Sequence, residues 1–526
     1  MNPLLEVDDL SIAFGTNTVV SGVSFSLEAG ECLAIVGESG SGKSVTARAL
    51  LGLAGAGSRV RATTIRFDET DILDASPQRL RSLRGREIGL VSQGALVALD
   101  PLRPIGREVA DALRLHTRLT ASQRAERAIE LLAEAGLPEP DLRATQRPDE
   151  LSGGMRQRAV IASAVALRPR LLIADEPTTA LDTTVQARIL ELIESLREQG
   201  TAILLISHDL AVVSRIASRI AVMQGGKIVE AGATADVLDS PQHPYTRSLI
   251  AAIPAHQPRG SLLSADHTAP APAQQQSPGE PVLVAHDLSL RFGSRLAVDD
   301  VSFRLTRGTT LGIVGESGSG KTTLARLALA LAQPDSGKVE LLGSPWSALS
   351  ERERRPRRSR IGAIYQDALS SFDPRLTVGQ ILADALSGGR TKRPGAEVEE
   401  LLDQVGLAPD LARRRPRLLS GGQQQRVAIA RAIAPKPDIL VCDEPVSSLD
   451  VLVQAQVLDL LDELQRGYGL SYVFISHDLG VVRHMSDSVL VMRQGLVVES
   501  GQTEEVFSNP RHDYTRELIA AAPTLA

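Results

Sequence analysis

The octapeptide Gly37-Glu38-Ser39-Gly40-Ser41-Gly42-Lys43-Ser44 returns 278 residues later as Gly315-Glu316-Ser317-Gly318-Ser319-Gly320-Lys321-Thr322. Both copies fit G-x-x-x-x-G-K-[ST], a phosphate-binding loop that follows a strand and opens a helix. The flanks agree. Apolar runs Cys32-Leu33-Ala34-Ile35-Val36 and Thr310-Leu311-Gly312-Ile313-Val314 precede the loops, and Ala/Leu-rich, helix-compatible stretches follow them. In such a loop the glycines let consecutive N–H groups turn inward, and the helix adds the positive end of its dipole. Gly37, Ser39, Gly40 and Gly42, with Gly315, Ser317, Gly318 and Gly320, are therefore candidate phosphate contacts. Lys43 and Lys321 supply a point charge, and Ser44 and Thr322 a hydroxyl for Mg²⁺.

Self-similarity extends well beyond the loops. Phe14 and Phe292 also stand 278 residues apart, Asp175 and Asp443 stand 268 apart, and His208 and His477 stand 269 apart. The small drift marks a tandem duplication of a whole domain. Between the copies lies a Pro/Ala/Gln-rich stretch without helical or strand periodicity. The expected division is domain one at 1–253, a linker at 254–281 and domain two at 282–526. A coil of the linker's length averages about 30 Å end to end, so the domains can meet face to face.

The formal net charge is −6, which argues against a nucleic-acid-binding partner. Cys32 and Cys442, the only two cysteines, sit in apolar runs and suit core packing rather than a four-thiolate metal site. No apolar run reaches 18 residues, and the N-terminus lacks the basic region of a signal peptide.

Further paired motifs follow in order. Phe14 and Phe292 each precede their loop by 23 residues. An aromatic there can stack on a base, although alone it reads more readily as a half-buried strand residue. Gln93 and Gln366 close short apolar strands and can offer a carbonyl to a metal or water. Helical insertions are expected at about 95–150 and 368–418. Ala125, Ala128, Ile129 and Leu132 form one apolar stripe, with Val398, Leu401, Leu402 and Val405 as its counterpart. Leu151-Ser152-Gly153-Gly154 and Leu419-Ser420-Gly421-Gly422 then offer a hydroxyl and bare backbone N–H groups at a helix start, a second anion site. Asp175-Glu176 and Asp443-Glu444 end apolar strands, where Asp can hold Mg²⁺ and Glu can polarise a water. His208 and His477 end the last strands of the set and are expected at the γ-phosphate.

Taken together these motifs resemble two ATP-binding cassette (ABC) subunits fused in tandem. The resemblance covers both halves nearly end to end: aromatic loop, Walker A, glutamine loop, LSGGQ-type signature, Walker B with glutamate, D-loop and switch histidine. Met155 departs from the usual Gln of the signature. The resemblance implies an α/β fold: two tandem P-loop NTPase domains, each with a RecA-like parallel-sheet core, an antiparallel β subdomain and a helical subdomain. It implies ATP and Mg²⁺ bound by Phe14, Lys43, Ser44, Gln93, Ser152, Gly154 and Asp175, and by Phe292, Lys321, Thr322, Gln366, Ser420, Gly422 and Asp443. Ser44, Gln93, Asp175, Thr322, Gln366 and Asp443 would be the metal-side residues, and Glu176, Glu444, His208 and His477 the catalytic ones. Head-to-tail pairing would set Lys43 against Ser420 and Lys321 against Ser152.

The tails Ser240-Pro241-Gln242-His243-Pro244-Tyr245-Thr246 and Asn509-Pro510-Arg511-His512-Asp513-Tyr514-Thr515 are similar to those of dipeptide, oligopeptide and nickel importer ATPases. Gly94 and Ala95 depart from that group's pattern after the glutamine. The implied role is the energy-coupling ATPase of a bacterial peptide importer, peripheral on the cytoplasmic membrane face. Its implied partners are two permease subunits and an extracytoplasmic binding protein. A nickel or metallophore importer is the alternative within the group. A ribosome-associated tandem-cassette factor is the alternative of another class, disfavoured by the Pro/Ala/Gln-rich linker and the importer-type tails. The basic run from Arg352 to Arg360 reads as a solvated face.

Overall fold

The computed structural model describes residues 3–92, 98–178, 181–264, 279–293, 295–391, 393–447 and 449–522. Gln93, Gly94 and Ala95 lie outside them. The described residues divide into two compact units, the first running to Ile250 and the second Ala251–Ala522. Each unit is built on the same plan.

In the first unit β1 (Leu5–Phe14) and β2 (Asn17–Leu27) form an antiparallel ribbon, joined by β4 (Ser58–Arg61), β5 (Thr64–Phe67) and β6 (Thr70–Asp71). The second sheet runs in the order β11-β10-β3-β9-β8-β7. Its members are β3 (Cys32–Val36), β7 (Ile88–Val91), β8 (Leu171–Asp175), β9 (Ala202–Ile206), β10 (Arg219–Gln224) and β11 (Lys227–Ala233). All pairings in this sheet are parallel except β10 with β11. β3, β8 and β9 are buried at every residue, as continuous apolar strands covered on both faces must be.

The second unit repeats this. β12 (Pro281–Phe292), β13 (Arg295–Thr306), β15 (Ser336–Leu341) and β16 (Ser344–Pro345) make the antiparallel sheet. β14 (Thr310–Val314), β17 (Ile361–Ile364), β18 (Ile439–Asp443), β19 (Ser471–Ile475), β20 (Ser488–Arg493) and β21 (Leu496–Gln502) make the other, in the order β17-β18-β19-β14-β20-β21.

Helical insertions stand where the sequence puts them. Thr120 and Gln123 form a capping box at the start of Ala121–Glu134, and Thr377 and Gln380 do the same for Val378–Ser387. Gly136 and Gly406 take φ of 75° and 65° just past their helices, the left-handed turn that glycine enters freely. One detail of the stripe differs. Ala128, Leu131 and Leu132 are buried, whereas Ala125 is exposed, because the helix turns Leu131 rather than Ala125 inward. The counterpart Val398, Leu401, Leu402 and Val405 is buried throughout.

Residues 254–264, expected to be featureless linker, pack within the second unit, and Ala252, expected at the end of domain one, goes with them. Ala252 and Leu263 join its core. Asp459, 2% exposed on the helix Val451–Tyr468, accepts from Leu263 N at 2.9 Å, Ser264 N at 2.8 Å and Ser264 Oγ at 2.6 Å. Arg466 donates to Gly260 O, and Arg259 pairs with Asp487. Low hydrophobicity hid this segment, because its docking rests on polar anchors.

Candidate functional site

β3, β9 and β8 lie side by side and run parallel, so their C-terminal ends share one edge of the sheet. That edge is where open α/β sheets bind ligands. β3 delivers residues 37–44, β8 delivers Asp175 and Glu176, and β9 leads to His208. β14, β18 and β19 do the same for residues 315–322, Asp443, Glu444 and His477. Nine of the predicted residues per unit, including Lys43, Ser44, Asp175, Glu176 and His208, thus converge on a single edge.

The loop needs its glycines. Gly37 has φ 147°, and a Cβ there would lie 2.0 Å from Met223 O; Gly315 has φ 148° and would meet Met492 O at 2.1 Å. Lys43 Nζ donates to Gly37 O and Glu38 O, both at 2.7 Å, and Lys321 Nζ to Gly315 O at 2.7 Å and Glu316 O at 2.9 Å. The loop is thereby wound around its own lysine.

Ser44 Oγ donates to Asp175 Oδ1 at 2.8 Å, and Thr322 Oγ1 to Asp443 Oδ1 at 3.3 Å. Burial pushes both carboxyls above their ordinary value, while the Ser44 and Thr322 hydroxyls pull the other way. A hydroxyl and one carboxylate suit Mg²⁺, which keeps most of its shell for waters and substrate phosphates. Among the described residues no group of three or more His, Cys, Asp or Glu forms a protein-only metal cage, and Mg²⁺ of this kind requires none.

Glu176 and Glu444 occupy the left-handed region, φ 52° and 50°, unusual for a glutamate. Each donates its N–H back to the neighbouring strand, to Ile206 O and Ile475 O at 2.9 Å. Strain held in place by the sheet is a mark of functional positions. His208 Nδ1 lies 3.4 Å from Glu176 Oε1, and His477 Nδ1 lies 3.2 Å from Glu444 Oε2. Burial opposes a charge on both imidazoles, but the hydrogen bond and charge of the adjacent glutamate outweigh it and raise both values. Burial likewise opposes ionisation of Glu444, and His477, together with Lys321 and Ser447, more than offsets it, leaving the carboxyl below its ordinary value. Gln366 Nε2 donates to the same carboxylate at 2.8 Å. The histidines, expected to face a phosphate, are thus held against the glutamates here.

Ser152 and Ser420 cap the helices Gly153–Val165 and Gly421–Ile433 through the N–H groups of Met155 and Gln423. Gln423 completes a capping box by accepting from Ser420 N at 3.2 Å. Met155 has no acceptor to do so. Both serines are exposed, and Gly154 and Gly422 back onto Val185 and Val453, leaving no room for a Cβ. Phe14 packs at the margin of the first core beside Gly55, whereas Phe292 is 57% exposed. The cysteines are buried, and burial pushes the Cys32 thiol up to about 12, as expected for inert packing groups.

One contact escaped the sequence. Tyr245 and Tyr514, in the tails, reach the phosphate loops: their hydroxyls accept from Glu38 N at 2.8 Å and Glu316 N at 3.0 Å. Their shared place in the repeat was the available signal.

Sheet, loop, acidic strand end and signature helix define a tandem P-loop nucleoside-triphosphate hydrolase. Known proteins agree. The ABC transporter family model matches residues 20–179 and 298–447, and the oligopeptide/dipeptide transporter C-terminal region model matches 229–279 and 498–526. The chain is 44% identical to the "Peptidoglycan transport ATP-binding protein YejF" of Agrobacterium fabrum, covering 99% of this chain and 96% of that one. It is 40% identical to the "Oligopeptide transport ATP-binding protein OppD" of Mycobacterium bovis, covering 99% of each. A solved archaeal ribosome recycling factor, bound to a ribosomal stalk protein, superposes with a TM-score of 0.62 at 21% identity over 93% of this chain and 88% of that one; it shares the fold alone. The chain belongs to the ABC transporter ATP-binding family, with two cassettes and two oligopeptide-type tails, and it is an ATPase coupled to transport.

Proposed function

We propose that this chain is the energy-coupling subunit of a bacterial peptide importer, with two composite ATP sites. The observation that carries it is the pairing of two complete sets of Walker and switch residues with two oligopeptide-type tails in one chain. Full-length similarity to peptide-class transport proteins supports the same reading.

Each site takes its phosphate loop from one cassette and its signature serine from the other: Lys43 with Ser420, and Lys321 with Ser152. Phe14 and Phe292 contact the base, and Ser39, Gly40, Ser317 and Gly318 the phosphates. Ser44 with Asp175, and Thr322 with Asp443, hold Mg²⁺, joined by Gln93 and Gln366. Bound Mg²⁺ neutralises developing phosphate charge. Glu176 and Glu444 accept the proton of the attacking water and orient it. His208 and His477 hold those carboxylates until the phosphate competes for the imidazole. Fusion raises the effective concentration of one cassette for the other.

The partners are two permease subunits at the cytoplasmic membrane face and an extracytoplasmic peptide-binding protein. Among the described residues no helix is long and apolar enough to cross a membrane. An open cleft of about 510 Å³ beside β17, lined in part by Tyr365, Ser371 and Arg431, lies next to Gln366 and suits a permease element.

The test is the double substitution Glu176→Gln/Glu444→Gln in the assembled transporter. ATP turnover should fall roughly 10²–10⁴-fold while ATP stays bound. Turnover at the wild-type rate would refute the assignment, and peptide uptake unaffected by loss of the chain would refute the cargo.

A further inference from the structure

The tail motif that marks both cassettes is cross-linked to itself before it reaches anything else. In the first, the Glu230 carboxylate on β11 accepts from Gln242 N at 2.7 Å and His243 N at 3.0 Å. His243 Nδ1 accepts from Tyr245 N at 3.2 Å and so starts the helix Pro244–Ala251. Arg247 Nη1 donates to Pro241 O and Gln242 O at 3.1 and 3.0 Å. The second repeats each bond. Glu499 accepts from Arg511 N and His512 N at 2.7 and 3.1 Å. His512 Nδ1 accepts from Tyr514 N at 3.1 Å, and Arg516 Nη1 donates to Pro510 O and Arg511 O at 3.1 and 3.0 Å. A turn closed on all sides in this way presents its tyrosine rigidly. Tyr245 is 7% exposed and Tyr514 1%, and each spends its hydroxyl on the N–H of the second residue of the phosphate loop, some 200 residues away.

That N–H is a telling place to anchor. The carbonyl of the same residue, Glu38 or Glu316, accepts from the loop lysine. The lysine also holds the carbonyl of the preceding glycine, so the Gly37–Glu38 peptide, like Gly315–Glu316, is gripped from both sides, at its carbonyl by a lysine that serves the nucleotide and at its N–H by a tyrosine that does not. When a phosphate draws on the lysine, the tyrosine bond is the grip that stays. Preorganised backbone donors are what make a phosphate loop bind well.

We propose that Tyr245 and Tyr514 are positioning residues for the two phosphate loops, and that the oligopeptide-type tail is a strut fixing each loop in its nucleotide-binding shape. The strut acts on nucleotide binding at the chain's own loops and does not depend on which cargo the transporter carries.

The test uses the full chain and isothermal titration with Mg²⁺ and a non-hydrolysable ATP analogue. Tyr245→Phe keeps the buried ring and removes the acceptor. It should weaken one class of site about 3–10-fold, the worth of one hydrogen bond, and split the isotherm in two. Adding Tyr514→Phe should weaken the second class to match. Glu230→Gln, which loosens the turn without touching the loop, should weaken the first class in the same direction. Affinities unchanged in both Phe variants would overturn the proposal. So would weakened binding that merely tracks a lower melting temperature, since that is what a packing role alone predicts. Failure of peptide uptake with the affinity shift intact would sink only the cargo assignment.

Discussion

Asp459→Ala is the sharpest probe of how the segment after the first tail is held. The carboxylate is 2% exposed and accepts two backbone N–H groups and one hydroxyl from Leu263 and Ser264. Hydrogen bonds to an ionised acceptor are worth about 1.5–3 kcal/mol each, but the segment can undock and rehydrate its donors, which caps the loss. Undocking also returns the Leu263 side chain to water, about 1.5–2 kcal/mol. The expected cost to the second unit is about 3–4 kcal/mol, or roughly 6–15 °C in melting temperature for a unit of this size. Calorimetry on the full chain reads the shift, and limited proteolysis should reveal new cleavage between residues 257 and 264. The repeat supplies its own control: Glu191, which stands where Asp459 does in the first unit, is exposed, and Glu191→Ala should stay within about 0.5 kcal/mol. If Asp459→Ala melts like the wild type and is cut no faster, the polar-anchor argument fails.

Two further predictions concern a helix cap that differs between the copies and the His477–Glu444 contact. Met155→Gln gives the first signature helix the reciprocal cap that Gln423 gives the second, and should stabilise the first unit by about 0.5–1 kcal/mol in urea unfolding. His477, raised above its ordinary 6.5 by Glu444, contributes stability fully below pH 6.5 and loses it as pH rises through the folded-state value. The wild-type advantage over His477→Gln in thermal melts should therefore be largest at mildly acid pH and shrink toward alkaline pH; an advantage that grows with pH would contradict the ion pair.

Most of the fold was legible because each signal was local and printed twice. Continuous apolar strands, glycine-dependent loops and capped helices need only their own residues, and the duplication removed chance matches. The site was legible for the same reason: Lys43, Ser44, Asp175 and His208 sit at strand ends, and a parallel sheet gathers strand ends on one edge. What stayed hidden depends on distant partners. Tyr245 announces itself as part of a tail, and nothing in its neighbourhood names Glu38 as its partner. Asp459 looks like any surface carboxylate on an amphipathic helix until residues 263 and 264 fold over it. Phe14 and Phe292 share a place in the repeat, yet one packs against its core and the other is exposed, because local packing differs between the copies.

The proposed composite sites require nucleotide to be held between the loop of one cassette and the signature of the other. Ser39, Ser420 and Ser152 are all exposed, and the native Cys32 and Cys442 are buried, so paired cysteines can report on it directly. In a Glu176→Gln/Glu444→Gln background, Ser39→Cys with Ser420→Cys should be joined by a short bis-maleimide only when ATP is present, and Ser39→Cys with Ser152→Cys should not be joined. Cross-linking of the Ser39–Ser152 pair instead, or of neither pair under saturating ATP, would contradict it.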